Sequence, residues 1–432
     1  MSDTQSQTTA WVRSEMLGER PPPVHEGGAV TWLRANLFSG WFNILLTVLS
    51  LGFIAWFVWK IAPWFLDSTW NAASLSECRE KGDGACFAVI KDRWRQLFFG
   101  SIPLDQIWRP ILAVLLLVPA LAPLLFGSVS RKFLYFTLIY PLIAWWLIWG
   151  GDFAVPVAFG LLTFASYLHY YMFQRLGFPV FGVISTLLIF IPISIFFLHA
   201  PLLGMLEIIL PLDLPPHQSR QIGGFTLTFV LGISSISLSL PLGILLALGR
   251  QSHLPIIRII CVGFIEIIRG VPLITLLFFA NVVLAYFLPP GTQFDLILRV
   301  IIMATLFASA YIAEVVRGGL AAIPKGQYEG ADSLGLSYWQ KMRHIVLPQA
   351  LKISIPGIVN VFIGLFKDTT LVSIISMFDP IGFVRGPILA SAEWLGVYWE
   401  LYGFVALIFF LCCYPMSKYS QYLERRLQHE HE

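Results

Sequence analysis

The apolar residues of this chain fall into long uncharged runs separated by short polar breaks. About ten runs can be read: residues 41–59 with a continuation to 66, 110–127, 133–150, 153–174, 178–199, 223–249, 256–288, 296–313, 353–378 and 401–417. Each is near the ~20 residues that a helix needs to cross a hydrocarbon core, although 110–127 and 133–150 are short. Over such lengths in lipid, only a helix satisfies its own backbone. The pattern predicts an all-α polytopic membrane protein of about ten transmembrane helices.

The polar stretches set the organisation. The first forty residues hold Pro21, Pro22 and Pro23 and lack an apolar core followed by a small-residue cleavage site. They read as a cytoplasmic tail over 1–40, not as a signal peptide. Its end, TWLRANLF, reads either as a segment along the membrane surface or as a plain linker. An N-terminal extension of about five helices follows over 41–200, interrupted by an external loop at 67–108. An external linker at 201–222 leads to a helical unit over 223–422, and a short cytoplasmic tail occupies 423–432.

Of the 432 residues, 57% are hydrophobic and 12% charged. An average soluble domain carries roughly 25% charged residues. There are too few charges here to coat a soluble enzyme, and the composition equally excludes a disordered or nucleic-acid-binding chain. The net charge of +3 says little, but its placement is informative. With the N-terminus inside, the inner loops hold Arg131, Lys132, Arg175, Arg250, Arg258, Arg317, Lys325, Lys341, Arg343 and Lys352, and the C-terminal tail holds Lys418, Arg425 and Arg426. The short outer loops hold Arg220 alone. The positive-inside rule then places both termini in the cytoplasm. The 67–108 loop falls outside, where Cys78 and Cys86, flanking a polar turn, are candidates for a disulfide. Cys261, Cys412 and Cys413 lie in apolar runs and read as packing residues.

One inner loop differs from the rest, AYIAEVVRGGLAAIPKGQYEGADSLGLSYWQKMRHIVLPQAL. Pro324 suits the first turn of a short helix reaching Leu334, and Gly335 suits its left-handed end. Ser337 with Gln340 forms a capping box that opens a second helix, whose end Pro348 should perturb. Such a projecting helix–turn–helix reads as a docking element for a partner, against the plainer reading of a surface loop.

Glu329, Gly330 and Ala331, then Gly335, then Ile345, Leu347 and Pro348 resemble the EAA loop of ABC importer permeases, placed here at 314–350. That family's pattern is EAA, three residues, G, nine residues, I-x-LP. Gly330 stands where alanine is usual and should loosen the short helix by about 1 kcal/mol. GFTLTFVLGISSISLSLPLGILLALGR, EIIRGVPLITLLFF, AYIAEVVRGGL and LFKDTTLVSIIS resemble core segments of the polar amino acid (histidine/glutamine permease) branch. The long form, with TWLRANLFSGWFNILLTVLS, is similar to the general L-amino acid and the glutamate/glutamine/aspartate/asparagine permeases. The resemblance implies a five-helix type I permease core over 223–422 in a bacterial inner membrane. It also implies a second, related permease as heterodimer partner, two ATPase subunits on the EAA loops, and a periplasmic amino acid-binding protein. This chain has no GxxxxGK[ST] phosphate loop. It is therefore expected not to be an enzyme and to bind no cofactor, with ATP and Mg on the ATPase subunits.

Ionisable residues at membrane depth are costly and face the bundle or a water path. Lys367 and Asp368, followed by Thr369 and Thr370, fit either a structural interhelix pair or a transport path that meets a zwitterion. Asn281 and Asn360 could bind substrate or hold helices together. Glu266 and Arg269, three apart, read as a helix-stabilising pair or gate contact. Glu314 and Arg317 are expected to hold the loop. His169 and His199 read as interfacial, and no metal-ligand cluster is expected. A self-contained, ion-coupled secondary amino acid transporter is the alternative, but the first 220 residues hold no second copy of the R-G-x-P-L or K-D-T-T stretches. A membrane-embedded enzyme would need a polar cluster at one face, and none is read.

Overall fold

The computed structural model describes residues 28–287 and 294–429. Residues 1–27 of the expected N-terminal tail and 430–432 of the C-terminal one lie outside the described residues. The chain divides into two compact units, one comprising residues up to Thr69 with Lys81–Ala85, the other Trp70–Glu80 with everything from Cys86.

In the first unit, α1 (Gly28–Asn36) contains most of TWLRANLF and precedes α2 (Trp41–Leu66). Helix α2 is 26 residues of almost purely apolar sequence, with no buried residue. Beyond it, Ala85 N donates to Trp64 O and Thr69 N to Ala85 O, which closes a small loop on the end of the helix.

The second unit begins with a cap. The 67–108 segment contains α3 (Leu75–Lys81) and α4 (Ala88–Phe99). Cys78 is disulfide-bonded to Cys86, with Cα atoms 5.8 Å apart. The cap then grips distant chain. Cys86 N donates to Glu400 Oε1 at 2.9 Å, and Trp394 Nε1 donates to Asp92 Oδ2 at 2.8 Å. Trp394 is fully buried in one apolar cluster with Val89, Leu97, Phe225 and Leu401. Removing a tryptophan from water is worth about 4–6 kcal/mol by area, so the cap is a folded part of the molecule. A short polar loop would have had no apolar positions to give.

Two helical hairpins follow. Helices α5 (Trp108–Leu125) and α6 (Phe133–Trp149) pack together, with Tyr140 Oη donating to Ala113 O. Next come α7 (Ala154–Arg175) and α8 (Phe181–Ile209). Helix α8 runs ten residues beyond its expected end at 199. Pro192 and Pro201 interrupt its backbone pattern, and two π-turns, Thr186–Phe190 and Ser194–Leu198, keep the helix continuous around them. His199 is therefore inside a helix. His169 is also interior to its helix, bonded to Thr186 Oγ1 at 2.9 Å and stacked on Phe190. Neither is at the end of its continuous helix.

The core comprises α9 (Gly224–Arg250), α10 (Pro255–Gly270), α11 (Leu273–Val283), α12 (Leu296–Ala321), α13 (Lys325–Ser333), α14 (Tyr338–Lys341), α15 (Leu347–Asp368), α16 (Pro380–Phe383) and α17 (Tyr398–His429). Helix α12 sits centrally, packed on both α9 and α15. Gly319 allows the tightest approach, since a Cβ there would stand 2.4 Å from Ala350 O. The expected straight span at 256–288 is corrected. Helices α10 and α11 meet at 103°, because Pro272 forces Val271 into extended backbone at φ −110°, ψ 130°. Among the described residues, seven helices are long and apolar enough to cross a membrane, and the bent pair makes eight. Helix α6 is apolar but 17 residues long, and α7 completes the helices formed by the expected apolar runs. The ends of the core are distinct. The cap, the start of α9 and the start of α12 lie at one end, and α13 lies at the other.

Candidate functional site

At the α13 end, local sequence dictates the shape. Helix α13 is N-capped by Pro324 and stops at Gly335, which has φ +68°. Gly335 N donates to Asp332 O, and Leu336 N donates back to Ala331 O, the paired bonds of a Schellman turn. Ser337 and Gln340 then form the expected capping box at the start of α14. Pro348 does not break the second helix. The π-turn Met342–Val346 absorbs its missing N–H, and the helix runs on into α15.

The inner face of this element is fixed. Ala331 is 1% exposed, and Tyr328, Ile345 and Leu347 pack on a cluster of Ile323, Met342, Val346 and Ala350. Gln349 Nε2 donates to Gln327 Oε1, and Lys341 pairs with Asp332. The outer face is open. Glu329, Gly330 and Pro348 are exposed, and Leu334 and Trp339 expose 74% and 66% of their surface. Nothing stands within 4 Å of a Cβ built on Gly330. A small, rigid helix with two bare apolar side chains beside a free carboxylate is suited to seating in a groove.

A charge network lies just inside that element. Glu314 accepts from Arg317 Nε at 2.9 Å, from Arg250 Nη1 at 3.1 Å and from Arg269 Nη1 at 3.3 Å. Arg250 also bonds Glu266 at 3.0 Å. The expected Glu266–Arg269 pair is corrected, since each reaches a different helix. The bend at Pro272 lays α10 against α9 and α12, so partners across the bundle are nearer than the one a turn away. The Glu314–Arg317 pair does form. Arg250 was missed as a site residue, because an arginine at a span end is indistinguishable in sequence from a positive-inside charge. The network ties the ends of α9, α10 and α12 to one carboxylate.

The candidate path residues are not brought together. Lys367 and Asp368 end α15, and Thr369 and Thr370 begin a 3-10 turn, where their hydroxyls bond Phe366 O and Lys367 O. Lys367 and Asn360 are exposed and seven residues apart on one helix face. Asp368 is half-buried and forms no ion pair with Lys367. Asn281 lies elsewhere, in a π-turn of α11, on the wall of a cavity of about 460 Å³ at the cap end.

Sequence reading also missed a buried knot at the cap end. Arg109, 0% exposed, donates to Leu147 O, Pro215 O and Gln106 Oε1. His217 lies against it, bonded to Ile148 O and Gln106. Burial holds the His217 imidazole below its ordinary pKa, and the Arg109 charge adds to this against the opposing effects of the Ile148 bond and Asp105. Nothing in the spacing of 109 and 217 signals the contact. Among the described residues there is no group of three or more potential metal ligands.

Residues 239–429 match the family described as the binding-protein-dependent transport system inner membrane component. The whole chain is similar to the glutamate/glutamine/aspartate/asparagine transport system permease protein BztC of Rhodobacter capsulatus, with 53% identity over 98% of this chain and 99% of that protein. It is 41% identical to the inner membrane amino-acid ABC transporter permease protein YhdY of Escherichia coli, over 94% and 95% of the two chains. Among solved structures, an amino acid ABC transporter crystallised with histidines is 29% identical over 46% of this chain and 90% of that one, with a TM-score of 0.41.

Proposed function

This chain belongs to the permeases of amino acid ABC transporters, and from that membership we propose how it works in its complex. It is a multi-pass membrane protein, the permease subunit of an importer of amino acids, and not itself the catalytic subunit. The rest is our reading. The α13 end faces the cytoplasm of a bacterial inner membrane, with both termini on that side. Two ATPase subunits holding ATP and Mg take the exposed face of α13, one on this chain and one on a second, related permease. A periplasmic binding protein delivers the amino acid at the cap end. The relatives' names favour acidic amino acids and their amides as cargo.

The observation that carries this reading is the two-faced α13, locked inward through Tyr328 and Ala331 and bare outward at Glu329 and Leu334. A push on the bare face cannot be absorbed locally. It passes through Tyr328 to Leu320 O at the end of α12, through Gln327 to Gln349, and so to α15. The Glu314 network keeps the neighbouring ends of α9, α10 and α12 moving together. ATP-driven closure of the ATPase pair thus becomes a displacement of helices.

The test is co-purification of the chain with the candidate ATPase, permease and binding protein, followed by ATP hydrolysis and uptake in proteoliposomes with L-glutamate, L-glutamine and L-lysine. Hydrolysis stimulated by loaded binding protein, with ATP-dependent uptake, is expected. Uptake by this chain alone on an ion gradient, without ATP, would establish a secondary transporter instead. Within the complex, Lys367 and Asp368 are assigned to the translocation path on the exposure of Lys367 and the absence, among the described residues, of an interhelix partner for Asp368. Asp368→Asn should lower uptake with assembly preserved, and loss of assembly would make the pair structural.

A further inference from the structure

We infer that the cavity at the cap end is a way station that binds a substrate carboxylate through Arg220. This rests on the importer reading and adds a site to it. The cavity, of about 460 Å³, falls within the roughly 300–1,000 Å³ of small-molecule sites. Its walls belong to three separate parts of the core: the segment leading into α9, the α11–α12 pair, and the residues that follow the 3-10 turn after α15. Ile222, Ile297, Ile375 and Met377 form the buried side of those walls and belong to one apolar cluster. The apolar side of the site is therefore part of the packed interior, while Arg220 comes from the turn before α9.

Of its polar lining, Ser219 is taken by Asp295 and Trp149, and the rest is uncommitted among the described residues. Arg220 is the one charged residue lining the cavity among the described residues, and its guanidinium makes no hydrogen bond or ion pair among them. The carboxylate next to it in the fold, Asp295, is already occupied: Oδ2 accepts from Ser219 and Oδ1 from Leu298 N. Among the described residues the carboxamide of Asn281 makes no hydrogen bond either, and only its backbone oxygen is used, by Arg299. Ser376 stands at the same wall with φ +66°, the one positive φ outside glycine among the described residues. A non-glycine residue held in that region costs of order 1 kcal/mol or more, and such residues cluster at ligand sites. A guanidinium takes a carboxylate in a bidentate fork. A carboxamide offers the oxygen that an ammonium needs, and a hydroxyl can serve either group. Apolar walls with those three groups suit an α-amino acid that is neutral or acidic. Arg220 repels a cationic side chain.

The test uses the full complex in proteoliposomes, with Arg220→Gln and Arg220→Lys. Uptake of L-glutamate and L-glutamine is measured against rising concentrations of loaded binding protein. In R220Q, maximal uptake of L-glutamate should fall about tenfold or more, with partial recovery in R220K. An equal fall for L-glutamine assigns Arg220 to the α-carboxylate, and a fall confined to L-glutamate assigns it to the side-chain carboxylate. Unchanged maximal uptake would overturn the proposal. So would a defect that vanishes at saturating binding protein, because Arg220 would then dock that protein. A second measurement does not depend on ATP coupling: equilibrium binding of labelled L-glutamate to the full chain in nanodiscs. Binding by the wild type that R220Q loses supports the site even if ATP-driven uptake fails. Absence of binding by the wild type, or its retention in R220Q, overturns it.

Discussion

Replacing Gly335 tests the coupling role proposed for the α13 turn without touching its contacts. Its φ of +68° lies in the left-handed region, and nothing stands within 4 Å of the position a Cβ would take. A substitution therefore costs backbone conformation alone. For alanine that cost is roughly 1 kcal/mol, about a fivefold loss of the turned conformer if the alternatives lie close in energy. The Schellman bonds from Gly335 N and Leu336 N would open in the remainder, leaving the Ala331 and Asp332 carbonyls unpaired. Asparagine tolerates this backbone and should lose little. Aspartate tolerates it too but places a negative charge at a helix C-terminus, which costs a further ~0.3–1 kcal/mol. The expected order of uptake and of substrate-stimulated ATP hydrolysis is glycine, then asparagine, then alanine, with aspartate at or below alanine. Expression and detergent-extracted size should not change, since the membrane helices are untouched. Full activity of Gly335→Ala, or Gly335→Asn falling below it, would refute the reasoning.

Three further outcomes are expected. Glu314→Gln should impair uptake much more than Glu266→Gln, because Glu314 gathers three arginines and Glu266 one; equal effects in proteoliposome transport would remove the network's tying role. Cys78→Ser should weaken the cap by about 2–3 kcal/mol through the freed loop, read as faster hydrogen exchange in α4 while α12 is unchanged, and unaltered exchange in α4 would count against it. His217 is held below its ordinary pKa of 6.5, so above 6.5 it is neutral whether folded or not. Below that, the unfolded chain takes up a proton that the buried ring resists, and the knot loses stability as pH falls. The protection factors of the amides within 210–217, which are taken relative to intrinsic exchange at each pH, should therefore fall between pH 7.5 and 5.5, and His217→Gln should flatten that dependence.

The parts of the molecule set by neighbouring residues were readable from the chain. Apolar runs gave the helices, and the turn at Gly335 and the capping box at Ser337 rest on bonds between residues at most five apart. Contacts that depend on how the helices cross were not readable. The spacing of Glu266 and Arg269 suggests a pair, but the bend at Pro272 sends each elsewhere. Arg109 looks like a charge at the edge of a span, yet it is fully buried because the Pro215 and Leu147 carbonyls come to it from far along the sequence. Prolines misled in one direction. Pro201 and Pro348 suggest helix ends, whereas π-turns just before them relieve the backbone and let the helices continue. Along the chain the cap looks like a loop because its apolar residues, among them Val89, Ile90, Leu97 and Phe98, are broken up by charges and become core only against Trp394 and Phe225.

That last packing bears on the autonomy of the C-terminal half. The recognised family segment begins at 239, and a five-helix core could be thought separable from what precedes it. Yet Gly224, at φ +59°, sits so close to the end of α4 that a Cβ would stand 2.3 Å from Leu97 O. Thr226 Oγ1 donates to Phe98 O, and Glu400 receives Cys86 N. The seam that the apolar pattern draws near residue 223 is thus crossed by covalently distant but physically continuous structure. Cutting the chain there would strip the cover from Trp394 and leave the Glu400 carboxyl without its backbone donor. The extension is not a removable prefix, and the half-length piece would be left with a hole where α4 now packs.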